Sequence, residues 1–212
     1  MTQTIEIRKN HFVLHPLGGA YWQEKEMLLI ADVHLGKATH FRKEGIAIPL
    51  KTMHKNYFNL DKLIEYFKPK TICFLGDLFH SKINKEWLYF EDWCSEVSAK
   101  LILIKGNHDI IAEEKFKNLD ILLMEDWQLD AFFLTHHPEE AENVFNICGH
   151  VHPGIHLKGP GRQKLKLPCF YQTENQLILP AFGDFTGNFS LKPTKKDKVF
   201  AVTPDEVILV SG

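Results

Sequence analysis

The 212-residue sequence lacks the features that define several classes of protein. No apolar run approaches the roughly 20 residues that a membrane-spanning helix requires. The N-terminal residues are polar, so we expect no signal peptide. The four cysteines form no Cys-x-x-Cys pair, which argues against a thiolate zinc site and favours a reducing, cytoplasmic location. Internal repeats and low-complexity tracts are also missing.

The sequence also lacks a large net charge. Its 25 basic and 27 acidic side chains give a net charge of −2, so any binding of nucleic acid would depend on a local basic patch. The composition, with 44% hydrophobic and 25% charged residues, gives no reason to expect disorder. The length suits a single domain, residues 1–212, with a substantial core.

The first half of the chain alternates between short apolar runs, which predict buried strands, and segments of helical periodicity. The predicted order is strand, helix, strand, helix, strand, at residues 27–31, 49–67, 71–75, 84–98 and 101–104. This order favours parallel pairing through right-handed crossovers. Residues 5–14 predict an edge strand, with a hairpin partner at 20–22. After about residue 119 short strands follow one another, and 188–197 is predicted to be a surface loop. We therefore expect two packed sheets with helices outside and a functional site in the loops at one end.

Metal-ligand side chains follow the buried strands with unusual regularity. They end the apolar runs in the order Asp32-Val33-His34, Gly76-Asp77, Gly106-Asn107-His108-Asp109, His136-His137 and Gly149-His150-Val151-His152. Carboxylate, imidazole and amide groups together suit Mn²⁺, Fe or Zn²⁺ better than Ca²⁺. Any one of these motifs alone is an ordinary turn or helix cap. The full series predicts a two-metal hydrolytic centre.

The spacing within these motifs suggests individual roles. Two cations need a bridging carboxylate, and Asp77 is the natural bridge because Gly76 allows a sharp turn of the backbone. Asn107 would supply a neutral oxygen ligand. His150 and His152 lie on the same side of an extended segment, so we expect each to reach a different metal.

The motifs resemble the signature of the calcineurin-like binuclear metallophosphoesterases: D-x-H, G-D, G-N-H-[D/E], H and G-H-x-H. Every signature position is filled between residues 28 and 152. The resemblance implies the family's αββα sandwich, an α/β fold with two packed mixed β-sheets flanked by helices. It also implies a first metal held by Asp32, His34 and His152, a bridging Asp77, and a second metal held by Asn107, His136 and His150. His108 would then face the substrate phosphate, with Asp109 orienting it.

One ligand position has two adjacent candidates, His136 and His137. Adjacent residues of a strand face opposite ways, so only one of them is expected to bind metal. We choose His136, which comes first after the strand.

Three longer segments, residues 29–49, 76–81 and 179–187, are similar to the bacterial ligase-associated DNA-damage-response phosphoesterases of the PdeM type. That resemblance implies an endonuclease of DNA repair that acts on single-stranded or distorted DNA. It implies Mn²⁺ as the metal, with Fe, Zn²⁺ and Mg²⁺ as alternatives. It further implies a functional link to a DNA ligase and a helicase of a repair gene cluster.

Two cations about 3.5–4 Å apart can clamp a phosphate and activate a water, as hydroxide, for in-line attack. The leaving oxygen then needs a proton. His108 is the first candidate for the general acid, because a protonated imidazole both donates a proton and carries positive charge. His80 is the second candidate. It lies three residues beyond Asp77 and reaches the site only if its loop turns back; otherwise it is an exposed loop histidine.

Basic residues follow the first and the last metal motif. The first cluster, which we expect to bind substrate, comprises Lys37, His40, Arg42 and Lys43. The second comprises Lys158, Arg162, Lys164 and Lys166. Both suit a phosphate backbone, and the alternative for each is a solvated loop. The alternative substrate is a small nucleotide or phosphoester. A non-enzymatic scaffold is disfavoured, because no ligand of the family pattern is missing.

Overall fold

The computed structural model describes residues 1–37, 39, 42, 45, 51–80, 83–159, 161, 163–183 and 186–211, with the backbone alone for 51–53. The first of its two sheets contains strands in sequence order: β1 (Gln3–Ile7), β2 (Asn10–Leu14), β3 (Ala20–Trp22), β4 (Met27–Ile30), β5 (Thr71–Leu75), β6 (Lys100–Ile104) and β7 (Leu122–Met124). Strands β1 to β4 pair antiparallel, and β4 to β7 pair parallel. The parallel half is the crossover arrangement expected from the sequence.

Helices connect the parallel strands of this sheet. Helix α1 (Lys51–Phe67) leads to β5, α2 (Glu86–Glu96) leads to β6, and the short α3 (Glu113–Lys117) leads to β7. Leu28 and Ile30 of β4 pack with the helices, whereas Leu29 packs on the opposite face. The strands read as continuous apolar runs because both of their faces are buried. Among the described residues, no helix is both long and apolar enough to cross a bilayer.

The second sheet is mixed and is built from residues 127–211. Its main path runs in the order β14 (Phe189–Ser190), β11 (Pro153–Lys158), β12 (Lys164–Gln172), β13 (Gln176–Ile178), β10 (Phe145–Cys148), β9 (Phe132–Leu134) and β8 (Trp127–Leu129). Strand β15 (Lys198–Val202) pairs with β12, and β16 (Val207–Ser211) pairs with β15. The two sheets share one buried apolar cluster. The predicted α/β class with two packed mixed sheets is therefore confirmed.

Some elements differ from the sequence prediction. Residues 5–14 do not form one edge strand but belong to the hairpin β1–β2. Arg8 and Lys9 reverse the chain there with left-handed backbones, at φ 49° and 64°. The sequence pattern also gave no indication of α3 or β8, and β14 lies within the predicted surface loop. The predicted start of α1 at Pro49 lies outside the described residues.

Aromatic rings from both sheets pack against one another in the space between them. Phe12 of β2 and Trp22 of β3 are fully buried, and both contact Phe132 of the second sheet. The ring centroids of Trp22 and Phe132 lie 4.6 Å apart in an edge-to-face arrangement. The indole N–H of Trp22 donates to Asn10 Oδ1 at 2.8 Å, so its one polar group is satisfied.

We predict that Phe132→Ala lowers the free energy of unfolding by about 3–5 kcal/mol, because it empties a rigid space between the sheets. The matched control is Phe58→Ala on α1, where the ring is 56% exposed. That control should cost less than about 1 kcal/mol. Urea denaturation of both variants measures the difference, and equal losses would contradict the role assigned to the ring cluster.

Candidate metal centre

The ends of the parallel strands and of β9 and β10 bring the predicted ligands together. Three groups of side chains have ligand atoms that all lie within 4.8 Å of one another: Asp32 with His34 and His152, Asp32 with Asp77 and His136, and His136 with His137 and His150. Asp32 belongs to two of these groups, and so does His136. The groups therefore form one continuous cluster, as a centre for two cations requires.

Several of these residues have strained backbones. Asp32, His34, Asp77, His150 and His152 adopt left-handed conformations, with φ between 49° and 64°. Such conformations cost of order 1–3 kcal/mol each for residues other than glycine. Their concentration at the strand ends is typical of a functional site, where the strained backbone places the side chains in the required geometry.

The two carboxylates are held by backbone amides. Asp32 and Asp77 are 0% and 2% exposed. Asp32 Oδ2 accepts the N–H of His150 at 2.9 Å, and Asp77 Oδ1 accepts the N–H of His108 at 2.9 Å. One oxygen of each carboxylate lies within 4.8 Å of the other. Two buried carboxylates at this distance repel each other, and a bound cation would offset the repulsion.

His136 presents one ring nitrogen to the cluster. Its Nδ1 lies 3.0 Å from the carbonyl oxygen of Leu75, to which it donates. Its Nε2 is therefore the acceptor atom, and it lies 3.1 Å from Asn107 Oδ1 and 3.5 Å from Asp77 Oδ1. Such a hydrogen bond on the far nitrogen is usual for a metal-binding histidine. His136 is buried and His137 is exposed, but both lie in one group with His150. The choice of His136 stays a prediction.

The unpartnered atoms of the site fit a metal. Both ring nitrogens of the buried His34 have no hydrogen-bond partner among the described residues, and Nε2 of His152 lies 3.2 Å from Oδ1 of Asp32 without forming a hydrogen bond to it. Leaving a buried polar group unpaired costs about 1–3 kcal/mol, and a cation would satisfy these atoms together. Burial, reinforced by the charge of Lys37, lowers the pKa of His34 to about 2. Its imidazole is therefore neutral and has a free lone pair.

Two glycines allow the ligands to approach this closely. Gly76 has a left-handed backbone, at φ 80°, and a Cβ on it would overlap the ring of His136. A Cβ on Gly106 would overlap both the backbone nitrogen and the carboxylate of Asp77. The glycines before the ligands are thus steric requirements of the site, in addition to their role in turning the chain.

His108 and His80 lie beside the cluster. Their rings are stacked, with centroids 5.0 Å apart, and both contact His34, at 5.7 and 5.5 Å. The loop after β5 does turn back, because the N–H of His80 donates to the carbonyl of Leu35 at 2.9 Å. The structure therefore places both candidates for the general acid at the edge of the ligand cluster.

Asp109 has different partners from the one expected. Its carboxylate accepts the N–H of Phe79 at 3.1 Å and the N–H of Gly106 at 2.9 Å. Both oxygens are thus used by backbone amides, and no hydrogen bond joins Asp109 to the ring of His108 among the described residues. Burial raises the pKa of Asp109 to about 6. The expectation that Asp109 orients the His108 ring is corrected accordingly: it holds the two loops.

Two of the four predicted substrate-binding residues, Lys37 and Arg42, are among those that the structure describes. Lys37 is half-buried, and burial lowers its pKa although the charges of Asp32 and Asp77 act to raise it. Arg42 is exposed. His40 and Lys43 lie outside the described residues.

Glu86 is a supporting residue that the sequence analysis missed. It is 2% exposed, and its carboxylate accepts the N–H of Gly36 at 2.8 Å and the hydroxyl of Thr39. Tyr57 of α1 donates to its carbonyl at 3.2 Å. Glu86 thereby fixes the segment that carries Lys37. The sequence shows only an acid at the start of a predicted helix, and its burial becomes visible in the structure alone.

The segment at 179–183 supports the first metal motif through its backbone. The N–H of Phe182 donates to the carbonyl of Ala31, and the N–H of Gly183 donates to the carbonyl of Asp32. This gives a structural reason for a segment that the sequence analysis had matched only by resemblance. The second sheet is thus tied directly to the end of β4.

A family model for calcineurin-like phosphoesterases matches residues 26–205. The match covers most of the sequence, and the chain therefore belongs to the calcineurin-like phosphoesterase family. The family uses a binuclear metal centre, and the His and Asp groups described above are candidates for holding it. The chain is a metal-dependent hydrolase that acts on phosphate esters.

Among solved structures, nuclease MPE of Pseudomonas putida is similar to the chain throughout. The two are 31% identical, the match covers 99% of this chain and 100% of that chain, and the TM-score is 0.84. Yfce, a phosphoesterase from E. coli, is 15% identical, over 87% of this chain and 98% of that chain, with a TM-score of 0.44. No curated protein sequence matches the chain significantly. The family resemblance read from the motifs is confirmed.

We predict that Gly106→Ala weakens metal binding about 10-fold or more, because the added methyl group displaces Asp77. The matched control is Gly187→Ala, whose Cβ would meet no atom within 4 Å. Metal content after dialysis, measured by mass spectrometry, should fall only in Gly106→Ala. Full metal content in both variants would show that the close approach of Gly106 to Asp77 is dispensable.

Proposed function

We propose that the chain is an endonuclease of DNA repair that cleaves phosphodiester bonds in single-stranded or distorted DNA. The observation that carries the proposal is the stacked pair of His108 and His80 beside a continuous cluster of metal-ligand atoms. This arrangement joins groups that can hold a phosphate to groups that can protonate a leaving oxygen. The similarity to a nuclease along nearly the whole chain supports DNA as the substrate.

We assign the metals as the family resemblance implied. Asp32, His34 and His152 would hold the first ion, Asn107, His136 and His150 the second, and Asp77 would bridge them. When bound, two divalent ions clamp a phosphate and activate a water for in-line attack. The ligand set of carboxylate, imidazole and amide suits Mn²⁺, and Fe, Zn²⁺ and Mg²⁺ are the alternatives.

Residues of the chain supply the proton that the leaving oxygen needs. His108 is the proposed general acid, with a ring nitrogen donating to the leaving oxygen as the phosphodiester bond breaks. Its backbone N–H is fixed to Asp77, so the ring stays next to the bridging carboxylate. His80 stacks on the ring of His108 and is proposed to orient it. Asp109 acts behind these two histidines, as a positioning residue.

Lys37 is the proposed contact to a non-bridging phosphate oxygen. It directly follows Gly36, whose N–H is held by Glu86, and the charges of Asp32 and Asp77 act to raise its pKa. Arg42, together with His40 and Lys43, would extend the contact along the DNA backbone.

Three wider assignments belong to the same proposal. A cytoplasmic location agrees with the four free cysteines, of which Cys73, Cys148 and Cys169 are buried. One domain over residues 1–212 agrees with the apolar cluster that both sheets share. A functional link to a DNA ligase and a helicase stays a prediction from the family resemblance.

The proposal is tested with metal-stripped protein refilled with Mn²⁺, Mg²⁺ or Zn²⁺. We expect the Mn²⁺ protein to cleave both a generic aryl phosphodiester and a single-stranded oligonucleotide, as followed by absorbance and by gel. Turnover of the aryl ester with intact DNA would redirect the proposal to a small phosphoester. Failure on both substrates, with two metals bound, would overturn the chemistry.

We predict that His108→Ala lowers kcat on DNA by about 10²–10⁴-fold, the usual contribution of a general acid, while metal content stays at the wild-type level. His11→Ala is the matched control, because His11 lies on β2 and bonds to Glu24. It should leave kcat unchanged. A His108→Ala variant that turns over normally, or that loses its metals, would contradict the assigned role.

A further inference from the structure

The hairpin of β11 and β12 begins directly after His152 and carries a row of basic side chains, three lysines and one histidine. The register pairs His156 with Lys166 and Lys158 with Lys164. Paired residues of an antiparallel ladder lie on the same face, and so do residues two apart along a strand. These four side chains therefore share one face, which we call the cationic ribbon.

The two faces of this hairpin are chemically distinct. Ile155, Leu157 and Leu167 lie on the other face and pack against a buried cluster beneath the second sheet. All four residues of the cationic ribbon are exposed. The alternation therefore fixes the orientation, with the apolar face on the core and the cationic face in solvent.

Within the part of the chain that the structure describes, no ion pair joins the ribbon to an acidic side chain. The sequence contains no acidic residue between Glu142 and Glu174. Asp197, which follows the neighbouring strand β14, is buried and accepts hydrogen bonds from Tyr171 at 2.7 Å and from the N–H of Thr194 at 2.7 Å. Lys166 uses one of its three ammonium protons on the carbonyl of Asn188.

The direction of the ribbon relates it to the metal centre. Strand β11 starts one residue after His152, and Lys158 lies six residues further along, about 20 Å for an extended chain. Cations recur every second residue, about 6.6–6.8 Å apart, which is similar to the spacing of successive phosphates in an extended single strand. The net charge of the protein is −2, so the protein as a whole does not attract a polyanion. Binding here would depend on the local positive charge of the ribbon.

We propose that the cationic ribbon binds the phosphate backbone of a single DNA strand on one side of the cleaved bond. This inference rests on the proposed function and adds where the substrate runs: from the metal centre past His152, along His156 and Lys166, to Lys158 and Lys164. The ribbon sets affinity through charge, because contacts to phosphate groups carry no sequence information.

The test compares two triple variants with the same change in charge. Lys158→Gln, Lys164→Gln and Lys166→Gln remove the lysines of the ribbon. The control variant changes Lys68, Lys70 and Lys100 to Gln; these exposed lysines lie next to the amino ends of β5 and β6, at the opposite edge of the first sheet. Binding of a fluorescein-labelled oligothymidylate of about 12 nucleotides is measured by anisotropy. The metal-loaded protein carries His108→Ala so that the probe stays intact.

We expect the ribbon variant to bind about tenfold more weakly than the control or worse. We also expect the slope of log K against log salt to decrease in magnitude by about 2, the value for three phosphate contacts to a single strand. The reference is the protein that carries His108→Ala alone. If it binds strongly and the two triple variants have equal affinities and slopes, the role of the cationic ribbon is overturned and the proposed function stands. If the reference itself does not bind the oligonucleotide, both are overturned.

Discussion

The burial of two carboxylates, Asp32 and Asp77, constrains the rest of the structure. Both lie at the ends of neighbouring parallel strands, where solvent cannot stabilise their charge. The donors that stabilise them are backbone amides of His150 and His108, which belong to later loops of the chain. The hydrogen bonds that make the burial tolerable therefore also draw in the histidine-bearing loops. The hydrogen bonds that stabilise the two carboxylates are therefore also the ones that assemble the site.

This coupling explains why strained backbones persist here. The loops after β4 and β5 run side by side, with the N–H of Asp32 donating to Gly76 and that of His34 donating to Asp77. These paired hydrogen bonds fix the backbone at several points and thereby hold the left-handed residues in place. The ligands come from both sheets, so the complete site exists only in the folded chain. Metal binding must then stabilise the native state at the expense of the unfolded one.

The sequence draws attention to the candidate ligands because each follows an apolar run, and the structure brings Asp32, His34, Asp77, His136, His150 and His152 close together. The crossover strands β4 to β6 are predictable for the same reason, since burial on both faces removes polar residues. The hairpin at Arg8 and Lys9 is missed because neither residue type signals a left-handed turn. The partners of Asp109 and the role of Glu86 are missed because both depend on distant backbone amides, which leave no trace in local patterns.

Asp109 joins two loops that carry different histidines. One oxygen holds Phe79, the neighbour of His80, and the other holds Gly106, two residues before His108. The loops that carry the two stacked rings therefore share one buried carboxylate as their common support. Loss of that carboxylate would free both loops at once, so a single substitution at Asp109 would act on both rings.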